Sequence, residues 1–511
     1  MVQYRCGIEK FINGGVIYVH DRNGASGKDL AKPMGIRDTL NRIKESSMIP
    51  LHMPGHKRNP VYNMGNPYEI DVTEIEGTDD LHHPEGIIKE LQDRFARFYG
   101  GEASYLLVNG STSGIHSAIW GSVRDQDEVL IARNCHKSVY DSLHVRRLRP
   151  RYIQPKEIQP GIYAGITGKE VEEALERFPK VKAVILTSPT YEGYVSELTT
   201  IAKIVHKRKI PLIVDEAHGA HLSLLYGDRF ESGVKASADL VVQSLHKTLP
   251  ALTQSALLHV GSFERIRKET LEQGLGIFQS SSPSYLLMAG MEGCLEDMER
   301  LSEDRKKTFE DRLDHLYEVG RGCRYFTLLE DEKKDPGKVV ILPEGKMSPP
   351  ELARRLREEF GIETEMSTLN NVLAMFTIGD VDGNFSAFEK ALLSLEEEEK
   401  VSMDDRKTNG FKKDVGAEMP EIRIPEKARE PWETDGCEKE LVPLKEAKGR
   451  ICGEKVLVYP PGIPQILPGE IWGEEQISFL EKAVESHLKI YGLTHGNVRV
   501  LVSDGREDGN G

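Results

Sequence analysis

The chain has 511 residues, 39% of them hydrophobic and 29% charged, proportions of an ordinary globular protein with more than one core. Its 82 acidic against 67 basic side chains leave a net charge of -15, which argues against nucleic acid or an anionic membrane as the main partner and suits a small cationic ligand. Six scattered cysteines without a CxxC pair, no apolar run of about 20 residues and no signal-peptide pattern over 1–30 point to a reducing cytoplasm, with neither export nor membrane anchoring expected.

Residues 1–35 read as an N-terminal extension, and a large domain is expected over 36–300. It opens with a charged amphipathic helix and the loop Leu51-His52-Met53-Pro54-Gly55-His56-Lys57, whose Pro-Gly pair argues against helix and so against a metal site from the two histidines. A loop dense in carboxylates follows over 71–86, then a helix over 87–99 and a buried strand over 103–108. That strand ends in Asn109-Gly110-Ser111-Thr112-Ser113-Gly114, opening a helix. Free backbone N–H groups and the helix dipole at such a turn attract an anion, and Ser111, Thr112 and Ser113 add hydroxyl donors; an ordinary helix N-cap fits the same letters.

The alternation continues. A strand over 128–132 ends at Arg133-Asn134-Cys135-His136, one over 181–186 at Thr187-Ser188-Pro189-Thr190-Tyr191, and one over 210–214 at Asp215-Glu216-Ala217-His218. The next apolar run, over 240–242, breaks into Ser244-Leu245-His246-Lys247-Thr248. Strands and helices in this rhythm predict a mainly parallel sheet covered by helices, with ligands at the carboxyl ends of the strands, where these polar residues fall. One long charged helix is expected over 286–317, a small separate α/β unit over 301–395, a charged linker or surface excursion over 396–441, and a C-terminal segment over 442–511. Within that segment Tyr459-Pro460-Pro461-Gly462-Ile463-Pro464 forms a rigid turn.

A lysine amine able to form a Schiff base, a strand-end carboxylate, a phosphate cradle and an aromatic platform are together what pyridoxal 5'-phosphate needs. Lys247 would hold the aldehyde, and Asp215 would keep the pyridinium nitrogen protonated. Ala217 would lie on one ring face and His136 on the other, with His218 close by; Ser111, Thr112 and Ser244 would take the phosphate, and His246 would touch phosphate or substrate.

The segments LHMPGHK, DVTEIEGTDDLH, LVNGSTSG, RNCHKS, TSPTYEG, DEAHGAH, SLHK and YPPGIP resemble the bacterial ornithine, lysine and arginine decarboxylases of the aspartate-aminotransferase fold, in their short form without a receiver-like N-terminal domain. The resemblance implies a homodimer or higher oligomer with shared active sites, Ser281 reaching the neighbour's cofactor phosphate, and a C-terminal carboxylate near the distal group of the substrate, for which Glu454 and Glu470 are the candidates. It implies decarboxylation of a basic amino acid, with arginine favoured over lysine or ornithine. Lys247, Asp215 and His246 are the catalytic candidates, Lys247 or His246 returning the proton to the α-carbon. An aminotransferase or aldolase shares the same cofactor chemistry. A metal-dependent hydrolase built on His52, His56, His218, His221 and Asp215 is a remote alternative, as is a binding protein that has lost catalysis.

Overall fold

A computed structural model of the chain describes residues 10–13, 16–19, 35–60, 62–407 and 423–502. The first 48 residues form a unit of their own. In it Lys10–Asn13 pairs antiparallel with Val16–Val19, and a helix spans Ile36–Glu45.

The remainder is built on a seven-stranded sheet. Its strands are β1 (Ala103–Leu107), β2 (Glu128–Ala132), β3 (Arg149–Ile153), β4 (Val181–Thr187), β5 (Leu212–Asp215), β6 (Leu240–Ser244) and β7 (Ala256–Val260), in the spatial order β1-β7-β6-β5-β4-β2-β3. From β6 through β3 all neighbours are parallel. β7 runs antiparallel to both its neighbours, and Ala256 pairs with Ser244 on one side and Leu107 on the other. The expected architecture is therefore present, with one reversed strand. β4, β5 and β6 are nearly continuous apolar runs because helices cover both faces, so their polar residues are displaced to the strand ends.

Four antiparallel strands make a second sheet: β8 (Phe326–Leu328), β9 (Lys338–Pro343), β10 (Met366–Ser367) and β11 (Val372–Met375), in the order β8-β9-β11-β10. This part is not the separate unit expected. Phe326, Val339 and Val372 share one buried core with Leu106, Leu245 and Met291 of the large domain. Ile49–Leu51 pairs in parallel with Ile362–Thr364 in a two-stranded sheet of their own, so a strand from the large domain's N-terminal side is joined to the segment between β9 and β10.

Two further expectations change. The helix over 286–317 is two helices, Tyr285–Glu299 and Glu303–Arg321, because Ser302 caps the second by accepting from Arg305 N at 3.2 Å. The stretch over 396–441 is not wholly a linker. The helix that starts at Asp382 runs on to Lys407 through a glutamate-rich segment of good helix formers, and a strand occupies Lys439–Pro443. That strand pairs with Asn497–Leu501 in a C-terminal domain whose core holds Trp472, Leu480 and Val498. Among the described residues no helix is long and apolar enough to cross a membrane.

Candidate active site

The carboxyl ends of β1, β2, β4, β5 and β6 open onto one cavity of about 430 Å³, a size that accepts a cofactor. Lys247 reaches it from the turn after β6, Asp215 and Ala217 from the end of β5, His136 from the end of β2, and Ser111 and Thr112 from the helix Gly110–Ser122 after β1. His218 and His246 also line it.

Asp215 is buried and accepts one bond, from Ala217 N at 3.2 Å. Burial raises its carboxyl above the ordinary value, with Lys247 opposing. Burial conversely lowers the Lys247 amine, with Asp215 and Glu365 opposing. Lys247 Nζ lies 3.1 Å from His218 Nε2. The His218 ring is driven well below its normal range by burial first and the neighbouring lysines next, so it is a neutral imidazole. His136 caps the helix Lys137–Val145, its Nδ1 lying 2.9 Å from Ser138 Oγ, and burial takes it down to about 3.

Two glycines allow this packing. A Cβ on Gly55 would meet Leu249 O and Thr248 C at 2.7 Å, so the PGH turn presses backbone to backbone on the loop that carries Lys247, where Gly55 N donates to His246 O at 2.7 Å. At Gly462, with φ of +84°, a Cβ would sit 3.2 Å from the His136 ring. Glycine there lets the YPPGIP turn lay Tyr459, Pro461 and Ile463 along the cavity.

Other expected residues lie elsewhere. Ser113 is turned back on its own helix, donating to Gly110 O at 2.8 Å. Ser244 is wholly buried with an unpaired hydroxyl and does not line the cavity. Ser281 is exposed on the turn before the helix Tyr285–Glu299 and is not among the residues that line the cavity, although Ser280 beside it donates to the lining residue Asn109 at 3.1 Å. Neither C-terminal carboxylate lines the cavity. Glu470 is buried against Arg133 Nη2 at 3.1 Å and accepts from Leu467 N at 2.8 Å, while Glu454 pairs with Arg499 at 3.0 Å on the surface. His246 turns Nδ1 to Ser255 O at 3.0 Å, so His218, not His246, contacts the lysine amine. The five residues of the hydrolase alternative are dispersed among different partners: His221 pairs with Asp335 at 2.9 Å, His218 lies between lysines, and His52 Nδ1 is 2.5 Å from Met53 O.

Thr253 and Gln254 line the cavity without an advance signal of a role, and Met53 and Asn134 line it from motifs in which neither is given one. Tyr191 lies in a segment singled out for its strand end and for the family resemblance, with no role given to the tyrosine itself. Its ring centroid is 4.6 Å from that of His218, and its hydroxyl donates to Glu365 Oε1 at 2.5 Å.

These residues fit pyridoxal 5'-phosphate by their chemistry. A helix start with N–H groups that have no intrahelical acceptor offers an anion cradle, a buried carboxylate with one donor stands ready for a second, and an amine lines the same cavity. This is the cofactor of the chain.

The family model described as "Orn/Lys/Arg decarboxylase, major domain" matches residues 38–319, and the model of the C-terminal domain of the same family matches 413–509. The arginine decarboxylase of Bacillus subtilis is 32% identical over 482 residues, covering 90% of this chain and 96% of that protein. The lysine decarboxylase LdcA of Pseudomonas aeruginosa is 24% identical, covering 84% and 73%. Among solved structures, the lysine decarboxylase LdcF of Francisella novicida superposes with a TM-score of 0.70 at 21% identity, over 84% of this chain and 73% of that one. The fold, the cavity and these matches converge: the chain belongs to the Orn/Lys/Arg decarboxylase family.

Proposed function

We propose that this chain, a decarboxylase of basic amino acids, acts on arginine. The observation that carries the chemistry is the single cavity holding the Lys247 amine, the buried Asp215 carboxylate, His136 and the helix start at Ser111. The preference for arginine draws on the higher identity to the arginine decarboxylases of Bacillus subtilis and Bacillus anthracis, 32% and 31%, than to the lysine decarboxylase of Pseudomonas aeruginosa, 24%. Incubation with arginine, lysine and ornithine separately, with carbon dioxide and the amine quantified, tests it. Arginine should be turned over fastest and without keto acid; faster release from lysine or ornithine contradicts the assignment, and keto acid would indicate transamination.

When bound, the cofactor supplies an aldehyde carbon for amine condensation and a ring that accepts the electrons of the broken carboxyl bond. The helix N-terminus with Ser111 and Thr112 would hold its phosphate, and Ala217 and His136, which line the same cavity, would bind its ring. Asp215 would hold a proton on the ring nitrogen, a role that a buried carboxylate with a single internal donor suits. Lys247 Nζ, on the wall of the cavity, would bind the aldehyde carbon and return a proton to the α-carbon of the substrate; His218 Nε2 is the group in contact with it. Tyr191 and the YPPGIP turn close the cavity wall and exclude water.

The shared-site arrangement belongs to the same proposal. Ser281, exposed and outside the lining of its own cavity, serves the cofactor phosphate of a second copy. Sedimentation should show at least a dimer, and Ser281→Ala should loosen cofactor binding without changing that mass. A monomer with full activity refutes the arrangement. The cysteines, free wherever they are described, suit a reducing cytoplasm.

A further inference from the structure

A second cavity, of about 110 Å³, lies at the carboxyl ends of β2, β3 and β4, the edge of such a sheet where ligands bind. Asn134 lines it from the end of β2, Gln154 from the end of β3 and Glu192 from the loop after β4. The loop 368–370 between β10 and β11 and the YPPGIP turn complete the wall. Asn134, Pro461 and Ile463 line the cofactor cavity as well, so the two spaces adjoin at these residues. Nothing in the reaction described above uses the second one.

Its lining is rich in acceptors that lack donors. Asn134 Oδ1, Gln154 Oε1 and Gln465 Oε1 are shut off from solvent and have no hydrogen-bond partner. Buried acceptors left unpaired destabilise a protein, and the terminal torsion of an amide is soft, so each oxygen can turn to a donor that enters. The protein itself offers few. Pro155, Pro460, Pro461 and Pro464 line the cavity without a backbone N–H among them. Arg133 spends its guanidinium on Tyr140 Oη at 3.2 Å, Pro464 O at 3.1 Å and Glu470 Oε2 at 3.1 Å, and Arg423 is engaged as well. Glu192, 5% exposed, adds a carboxylate to the lining. An entering anion would leave the three oxygens unpaired and meet Glu192. A cation rich in N–H groups satisfies both, and a guanidinium carries five donors in one plane and no acceptor.

We propose that this second cavity receives the distal guanidinium of the substrate, with Glu192 supplying the opposing charge and Asn134, Gln154 and Gln465 the further acceptors. The assignment rests on the arginine reading given above. It places the distal carboxylate in the large domain, on the loop after β4. Glu454 and Glu470 of the C-terminal domain do not line this cavity either, and both are turned to arginines of the chain itself.

The test uses the full-length, cofactor-loaded enzyme in steady-state assays with arginine, and with citrulline as competitor. Citrulline has the heavy-atom skeleton of arginine and no distal charge. In the wild type it should bind about tenfold or more weakly than arginine. Glu192→Gln should raise the KM for arginine by about tenfold, keep kcat within about threefold and leave the cofactor's visible absorbance unchanged, while the preference for arginine over citrulline closes. Gln154→Leu removes an acceptor and should raise the same KM severalfold. An unchanged KM in Glu192→Gln overturns the proposal, and so does a joint loss of kcat and absorbance, which marks a structural residue. If Glu192→Gln does not fold, Gln154→Leu decides, and an unchanged KM there overturns it. Failure of the arginine reading looks different: the wild type itself would then turn over lysine or ornithine faster than arginine.

Discussion

Glu470 Oε2 lies 3.1 Å from the Arg133 guanidinium, with the carboxylate 1% exposed. Arg133 follows directly on β2, two residues before Cys135 and three before His136, so this ion pair fastens the C-terminal domain to a strand end that shapes the cavity. Removing one partner of a buried pair leaves an uncompensated charge and typically costs about 3–5 kcal/mol. Glu470→Ala should lose stability on that scale in urea denaturation, and the KM for arginine should stay within about twofold in whatever folded enzyme remains. A large KM increase without loss of stability would instead return Glu470 to substrate binding.

Lys247→Ala should lose the visible absorbance of the cofactor-loaded protein. Turnover should fall by about a hundredfold to ten-thousandfold, the range for deleting a positioned proton-transfer group, and the covalent role adds to this.

Asp215→Asn should slow turnover far more than it affects folding, because the neutral amide cannot keep a proton on the ring nitrogen. In the apoprotein it should even stabilise. Asp215 has a folded pKa raised by burial, so the wild type loses stability as pH rises above the unfolded value of 3.8. The advantage of Asp215→Asn in urea midpoint should accordingly be absent at pH 3 and present at pH 7.

Glu216, the next residue, points to a different neighbourhood. It accepts from Gly233 N at 2.7 Å and from Gln243 Nε2 at 3.2 Å, and burial pushes its carboxyl up to about 8. The native state then holds a proton that the unfolded chain releases near 4.5. Its contribution to stability is complete below pH 4.5 and is lost as pH rises to 8, amounting to a few kcal/mol. Glu216→Gln should flatten the stability profile between pH 5 and 8, which denaturation at several pH values will measure.

Gly55→Ala forces a methyl into the backbone of Thr248 and Leu249. The expected cost is about 1–3 kcal/mol of stability, together with slower turnover from a displaced Lys247, read by calorimetry and a steady-state assay. Unchanged kcat would mean that the lysine loop yields without consequence.

The catalytic side of the cavity is legible in the sequence because parallel strands buried on both faces expel polar residues to their ends. Asp215, His136, Ser111 and Lys247 each follow an apolar run. Ser113 carries the same local signal as Ser111, but it lies where its hydroxyl meets Gly110 O, which no spacing rule distinguishes. Glu365, the Tyr191 hydroxyl and Lys338, whose amine lies 2.7 Å from His218 Nδ1, escape such a reading for another reason. They reach the site across 91 or more positions from Lys247 or, in the case of Tyr191, through a partner 174 positions away, and nothing beside them announces it. β7 is plain as an apolar run, yet its reversal depends on tertiary pairing with Leu107. The continuation of the helix to Lys407 and the ordered strand at Lys439–Pro443 lie in a stretch whose charge imitates a linker.

The nine residues 49–57 have a mechanical consequence. One end is a strand seated beside Ile362–Thr364, Lys57 Nζ grips Met375 O at 2.8 Å, and Gly55 holds the carbonyl of His246. The segment thus works as a tie rod between the smaller sheet and the loop bearing the reactive amine. Any rocking of that sheet is delivered to Lys247 as a displacement instead of being absorbed in a slack linker.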